Sequence, residues 1–192
     1  MMKSTTQASL IAEYKKLLGD CVAEYNNHSI YHSELFFFWR FAKKYNVERI
    51  VESGTYHGSS IARLRKLFPD AELITFELRK GHYKRIQRVE NVDYRLGELK
   101  NNLKLIKDNT VVLIDGPKRK NAVRLAGLCL RHGALFVAMH DMYDQMDYLN
   151  RKFKYVEHSG KQPMVIRALD SCIEIKSPSK KYYGPTLSIV GK

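Results

Sequence analysis

The segment Glu52-Ser-Gly-Thr-Tyr-His-Gly-Ser-Ser60 carries two glycines four residues apart. Glycine accepts a positive φ and lets a ligand come close to the backbone, so Gly54 and Gly58 mark a turn able to pass beneath a bound molecule. Glu77 follows Gly54 by 23 residues, near the spacing of about 20 at which a carboxylate reaches ribose hydroxyls in nucleoside-binding sheets. The glycines do not have the G-x-G-x-x-G spacing, and Tyr56 and His57 stand where a pyrophosphate needs open backbone, which argues against NAD. Further along, Asp115 and Lys118 lie three apart, and His140 and Asp141 are adjacent. Groups of these types can move protons or, as oxygen and imidazole donors, hold a hard divalent cation.

Each of these groups follows a β-rich run. Arg49 to Glu52, Glu72 to Phe76, Asn91 to Leu96, Val111 to Ile114 and Ala134 to Ala138 read as strands. Between them, helices are expected at Ser59 to Phe68, Lys80 to Val89, Leu99 to Ile106 and Lys120 to Arg131, the last with Ala122, Leu125, Ala126 and Cys129 on one stripe. Val111-Val-Leu-Ile114 is apolar without alternation, as expected of a central strand covered on both faces. Serial β/α units imply a doubly wound, mostly parallel α/β sheet with right-handed crossovers. Ligands of such sheets bind at the carboxyl ends of the strands, where the strand order reverses. The expected organisation is one domain, with a helical cap over 1–46, a core over 47–141 and a sheet-closing tail over 142–192. The cap reads as helices from Thr6 to Tyr25 and Ser33 to Tyr45. The tail holds strand-like runs at Phe153 to Val156, Met164 to Ala168, Cys172 to Ile175 and Leu187 to Val190.

At 192 residues the chain can bury about 70% of its unfolded surface. Its 44% apolar and 28% charged residues are ordinary globular usage, which excludes a wholly disordered chain. No apolar stretch approaches the roughly 20 residues of a membrane span, and the N-terminus lacks the apolar run of a secretory signal. Three distant cysteines, Cys21, Cys129 and Cys172, form neither a disulfide framework nor a zinc motif, which fits a cytoplasmic setting.

The glycine turn, the strand ending Thr75-Phe-Glu77 and the run Ile114-Asp-Gly-Pro-Lys118 together resemble class I S-adenosylmethionine-dependent methyltransferases. The E-x-G-x-Y-x-G-x-S form, with D-x-x-K after the fourth strand, is similar to the catechol and caffeoyl-CoA O-methyltransferase branch. The resemblance covers about residues 47–141. It implies S-adenosylmethionine as cofactor, held by Glu52, Gly54, Tyr56, Gly58 and Ser60, with Glu77 on the ribose, Gly97 and Glu98 beside the adenine, and Asp115 near the sulfonium or a metal. It further implies a catalytic set of Asp115, Lys118 and His140, with Lys118 resembling the family's general base. A lysine serves as a base near neutral pH only if its pKa is lowered, as a neighbouring divalent cation would do. Where the metal-dependent branch has an Asp-Asn pair after the fifth strand, this chain has His140-Asp141. Two readings stay open: Asp115, His140 and Asp141 hold Mg²⁺ or Mn²⁺, or His140 is the base, oriented by an aspartate, with no metal.

The expected acceptor is a small hydroxyl-bearing molecule carrying negative charge, because Lys118, Arg119 and Lys120 sit at a ligand-bearing strand end. The net charge of +13 alone would suit RNA, which is the alternative substrate; a non-catalytic cofactor-binding module is another. No Asp-Pro-Pro-Tyr segment or G-x-S-x-G elbow supports base methylation or a serine nucleophile. Lys80, Lys84 and Arg88 are expected to form a solvated helix stripe, and Lys176, Lys180 and Lys181, with Tyr182 and Tyr183, either extend the basic surface at 118–120 or solubilise a loop. Phe36, Phe37, Phe38, Trp39 and Phe41 read as core rather than a substrate cage, with Tyr31, His32 and Trp39 as candidates to face the pocket. The oligomeric state stays open, a homodimer included.

Overall fold

The apolar strands alternate between two cores. Along β1 (Arg49–Ser53), β2 (Glu72–Glu77), β4 (Thr110–Ile114) and β5 (Phe136–Met139), successive side chains point to opposite faces of the sheet. Ile50, Leu73, Val111, Leu113, Phe136 and Ala138 enter one core, whereas Val51, Ile74, Val112, Ile114, Val137 and Met139 enter the other. This two-sided burial explains why these runs carry no polar residue at every second position. The structure, a computed structural model, describes residues 6–19, 30–161, 168–170 and 186–191.

The first core is covered by α1 (Gln7–Leu18), α2 (His32–Ala42) and α3 (Ser59–Leu67). Phe36, Phe37, Phe38, Trp39 and Phe41 of α2 are buried here, with Phe41 edge-on to Phe136 at 4.8 Å, so they are core and not a cage. The second core is covered by α5 (Arg119–Arg131) and α6 (Met146–Lys152). Ala122, Leu125, Ala126 and Cys129 form the expected stripe, and burial pushes the Cys129 thiol up to about 12.

The sheet has the order β3-β2-β1-β4-β5-β7-β6, with β3 at Val92–Leu96, β6 at Tyr155–His158 and β7 at Ser188–Gly191. The first five strands are parallel, and β7 inserts antiparallel between β5 and β6. After β3 the chain crosses back to the other side of β1, so strand order reverses between β1 and β4. A ligand crevice belongs at their carboxyl ends.

The helix expected over Lys80 to Val89 stops early: α4 covers only Lys80–Tyr83. Beyond it Gln87 donates its backbone N–H to the His57 carbonyl at 3.2 Å, and the Arg88 guanidinium lies 5.0 Å from the Tyr83 ring centre and 5.3 Å from that of Tyr94. These tertiary contacts override the helical pattern, so the Lys80, Lys84 and Arg88 stripe does not form. Leu99 to Ile106 makes two short 3₁₀ turns instead of one helix. Residues 20–29, 164–167 and 172–185, which include parts of the expected helix and two expected strands, lie outside the described residues.

Gly58 caps α3 with φ of +88°, and an added Cβ would lie 2.8 Å from the Gln87 carbonyl oxygen and 3.1 Å from Ile86 Cγ2. Its need for glycine is therefore packing against the 86–87 segment. Gly58→Ala is expected to cost about 1–3 kcal/mol through the left-handed backbone and this collision, read as a lower urea midpoint; an unchanged midpoint would show that the 86–87 segment gives way.

Candidate active site

The turns after β1 and β4 meet backbone to backbone. Asp115 and Gly116 both donate their N–H to the Ser53 carbonyl at 2.8 Å, and the Ser53 hydroxyl donates to the Gly116 carbonyl. A Cβ on Gly54 would lie 2.6 Å from the Gly116 nitrogen, and Gly54 holds φ of +101°, so only glycine fits here. Gly54 and Thr55 donate in turn to the Phe76 carbonyl at 2.9 and 3.1 Å, drawing the end of β2 alongside. Glu77 accepts the Tyr56 N–H on Oε2 and the Arg79 N–H on Oε1, both at 2.9 Å.

A cavity of about 880 Å³ opens along these strand ends. It is lined by Gly54, Tyr56, Glu77, Gly97, Glu98, Asp115, Lys118, His140 and Asp141, which brings together most of the residues singled out in the sequence. Glu52, Gly58 and Ser60 are not among its walls. Glu52 is buried behind the turn, where Ser60 donates to its Oε1 and Thr75 to its Oε2 at 2.6 Å. The Thr75 hydroxyl also lies 2.5 Å from that of Thr55. Glu52 and Ser60 therefore shape the turn from beneath it.

The sequence did not single out Asn121, Arg124, Leu125 and Leu128 as a wall, yet all four line the cavity. Their spacing of i, i+3, i+4 and i+7 on α5 was the available signal. Tyr31 faces the cavity; His32 and Trp39 do not. Tyr56 and Asp141, on its rim, and Arg119, beside it, all hold positive φ, a costly backbone state that gathers at strand ends bearing function.

At the far end of the cavity five charged groups form a chain. His140 is held at both nitrogens, Nδ1 by Asp115 Oδ1 at 2.7 Å and Nε2 by Glu34 Oε2 at 3.2 Å. Lys118 Nζ lies 2.5 Å from the same Asp115 oxygen and 2.7 Å from Asp141 Oδ2. Burial by itself would lower the His140 pKa, but the Glu34 and Asp115 carboxylates outweigh it and hold the imidazolium well above its ordinary range. Burial likewise works against charge on Lys118, and Asp115 and Asp141 reverse it, so the ammonium is stabilised. For Asp115, burial is outweighed by His140 and Lys118, which hold its carboxyl below the usual range. These directions run against a base role for Lys118 or His140 in this arrangement. The expected positive field at 118–120 is also reduced, because Lys118 is matched by two carboxylates and Arg119 lies 3.6 Å from Asp144. Ligand atoms of Asp115, His140 and Asp141 all lie within 4.8 Å of one another.

No family model matches the chain, and no curated protein matches it. Solved structures do. An O-methyltransferase from Bacillus cereus in complex with SAH is similar over 98% of this chain and 93% of its own, at 17% identity and a TM-score of 0.55. TomG from Streptomyces achromogenes, an O-methyltransferase involved in tomaymycin synthesis and solved with SAM, covers 98% and 92% at 13% identity and a TM-score of 0.53. The fold is that of the class I S-adenosylmethionine-dependent methyltransferases. A putative O-methyltransferase from Klebsiella pneumoniae shares it over 93% and 88% of the two chains, at 16% identity and a TM-score of 0.54. At these identities the likeness is one of methyltransferase fold, and the chemistry must be argued from the site itself.

Burial raises the Glu52 carboxyl from 4.5 to about 7, against the lowering by the Ser60 and Thr75 hydrogen bonds. Between these values the unfolded chain has lost the proton while the folded protein keeps it, so stability falls as pH rises through the window. Glu52→Gln removes the titration and leaves hydroxyl partners for the amide. The difference in stability between wild type and variant is expected to change by about 3 kcal/mol across that window, read from denaturant unfolding at successive pH values; parallel curves would refute it.

Proposed function

We propose that this protein is an S-adenosylmethionine-dependent methyltransferase that methylates an oxygen of a small hydroxyl-bearing acceptor. The observation that carries the reading is the single cavity at the switch point, which runs from the Glu77 carboxylate to the charged chain at Asp115, Lys118 and His140. The cofactor fits what lines it. Each Glu77 oxygen takes one backbone N–H and keeps a lone pair for a ribose hydroxyl. Leu99, Leu125 and Leu128 give an apolar wall for a flat base, between Glu98 and the end of α5. When bound, the cofactor supplies an electrophilic methyl group on a sulfonium.

The chain's task is then to place the acceptor oxygen in line and manage its proton. Asp115 is fixed by its backbone N–H on Ser53 and by two cations, so its carboxylate is a rigid post at the reaction end. Lys118, 43% exposed, is the cation that an entering oxygen meets, and its hydrogen bond holds that oxygen in line. Asp141, 54% exposed, is the carboxylate open to solvent and takes the acceptor's proton. Bound there, the cofactor would give up its methyl group to that oxygen and would keep the electron pair of the C–S bond on its sulfur.

A second reading is favoured by the converging donors of Asp115, His140 and Asp141. Two carboxylates and an imidazole suit Mg²⁺ or Mn²⁺ in type and spacing, and a cation held there would acidify a bound hydroxyl. In this structure the Lys118 ammonium lies 2.5 Å from Asp115 and 2.7 Å from Asp141.

Calorimetry is expected to show one equivalent of S-adenosylmethionine or S-adenosylhomocysteine bound, and Glu77→Gln to weaken it by about tenfold through the lost charge-assisted hydrogen bonds. Folded protein that binds neither would sink the proposal. With an acceptor found by transfer of labelled methyl across a hydroxyl panel, Asp115→Asn is expected to lower kcat by about a hundredfold while cofactor affinity stays within about threefold. Activity undiminished in EDTA assigns the cation's role to Lys118; activity lost there and restored by Mg²⁺ or Mn²⁺ selects the second reading.

A further inference from the structure

Glu34 is a carboxylate with no solvent exposure, in the first turn of α2 and far in sequence from every strand end. Helix geometry accounts for one of its contacts, since Oε2 accepts the Tyr31 N–H at 3.1 Å as a cap. The others reach across the molecule. Oε1 accepts the backbone N–H of Thr186 at 2.6 Å and of Leu187 at 2.9 Å, at the entry to β7. Oε2 faces His140 Nε2 at 3.2 Å, and among the described residues this is the one ion pair Glu34 makes. A buried carboxylate is tolerated where a cation and hydrogen bonds satisfy it, and Glu34 has both.

The ring is flanked by acceptors at both ends, Asp115 Oδ1 2.7 Å from Nδ1 and Glu34 Oε2 3.2 Å from Nε2, with Asp141 Oδ1 further from Nε2 at 3.6 Å and Lys118 Nζ 3.5 Å from Nδ1. A carboxylate at each nitrogen favours a ring that donates from both. Glu34 faces Nε2, on the opposite side of the ring from Asp115. The start of α2 is itself pinned, because Asp170 accepts the Ser33 N–H at 2.9 Å and the Ser33 hydroxyl at 2.5 Å. Glu34 cannot drift without disturbing the cap, the entry to β7 and the ring together.

We propose that Glu34 is a positioning residue of the reaction site: from the N-terminal cap it fixes the His140 ring through Nε2–H, and so sets the orientation of the Asp115 carboxylate at the ring's other nitrogen. This role rests on the methyltransferase reading for its consequence in turnover and on the geometry alone for the state of the ring. It makes α2 part of the active site, and not only its support.

The test is Glu34→Gln. The amide oxygen can still accept from Thr186 and Leu187, but the amide nitrogen then faces two donors, Tyr31 N–H and His140 Nε2–H. Nitrogen NMR of the ring, assigned by its absence in His140→Gln, is expected to show both wild-type nitrogens protonated at neutral pH and Nε2 unprotonated in Glu34→Gln. In parallel kcat is expected to fall by about 10- to 100-fold, with cofactor affinity within about threefold and partial recovery in Glu34→Asp. A Glu34→Gln protein with the wild-type ring signature and wild-type kcat would reduce Glu34 to a helix cap and overturn the proposal. Should the variant not fold, the wild-type spectrum still decides, since an unprotonated Nε2 there overturns it equally. Cofactor calorimetry on the same wild-type sample tests the methyltransferase reading separately from the ring.

Discussion

The backbone contact between Gly54 and Gly116 is the constraint on which the site depends. Parallel β1 and β4 are neighbours only because the chain crosses back after β3, and at their carboxyl ends one carbonyl, that of Ser53, takes the N–H groups of both Asp115 and Gly116. No side chain fits between the two turns. Their closeness has two effects. It aims the Asp115 carboxylate into the cavity from a backbone that cannot rotate away, and it leaves the β1 turn free to reach the other way, where Gly54, Thr55 and Tyr56 bind the end of β2 and so place Glu77. Both ends of the cavity are therefore set by one contact at the point of strand reversal.

Beyond that contact the site is held by alternation of charge. Glu34, His140, Asp115, Lys118 and Asp141 follow one another as anion, cation, anion, cation, anion, each within 3.2 Å of the next. Exposure rises along the chain from 0% at Glu34 through 11% at His140 to 54% at Asp141. A lone ion at the buried end would pull water in or lose its charge; a row of matched ions does neither. Such a row contributes little net stability, but it fixes the positions of its charges before any ligand arrives.

Much of the fold was legible in the sequence, for identifiable reasons. The strands β1, β2, β4 and β5 announce themselves because burial on both faces removes the apolar–polar alternation, and Gly54, Glu77, Asp115, Lys118 and His140 sit at or just past their ends. What failed was local inference where tertiary contacts decide. Lys80 to Val89 has a helical pattern, but Gln87 is bonded to His57 and Arg88 lies against two tyrosines. Gly58 was read as room for a ligand, and the room is for the chain at 86–87. Glu34 could not be found this way at all: an acidic residue in a helix's first turn is ordinary, and its partners at 140 and 186–187 become neighbours only through the antiparallel insertion of β7.

The alternation also bears on the kind of reaction the site suits. Transfer of a methyl group from a sulfonium to an oxyanion destroys one charge of each sign, so any environment that solvates either reactant strongly holds it back. Water does so; a strongly anionic or cationic pocket would do so for one partner. Here three carboxylates face two cations, each already engaged, and the inner members are largely sealed from solvent. Lys118 and Asp141, the two members at the mouth, remain able to exchange partners with an entering hydroxyl, so the groups that meet the acceptor are the ones whose hydrogen bonds cost least to rearrange. A buried interior of paired ions with an exposed outer pair would suit the charge-destroying transfer proposed above. On the methyltransferase proposal, an entering acceptor meets the exposed Lys118 and Asp141 and not the buried Glu34.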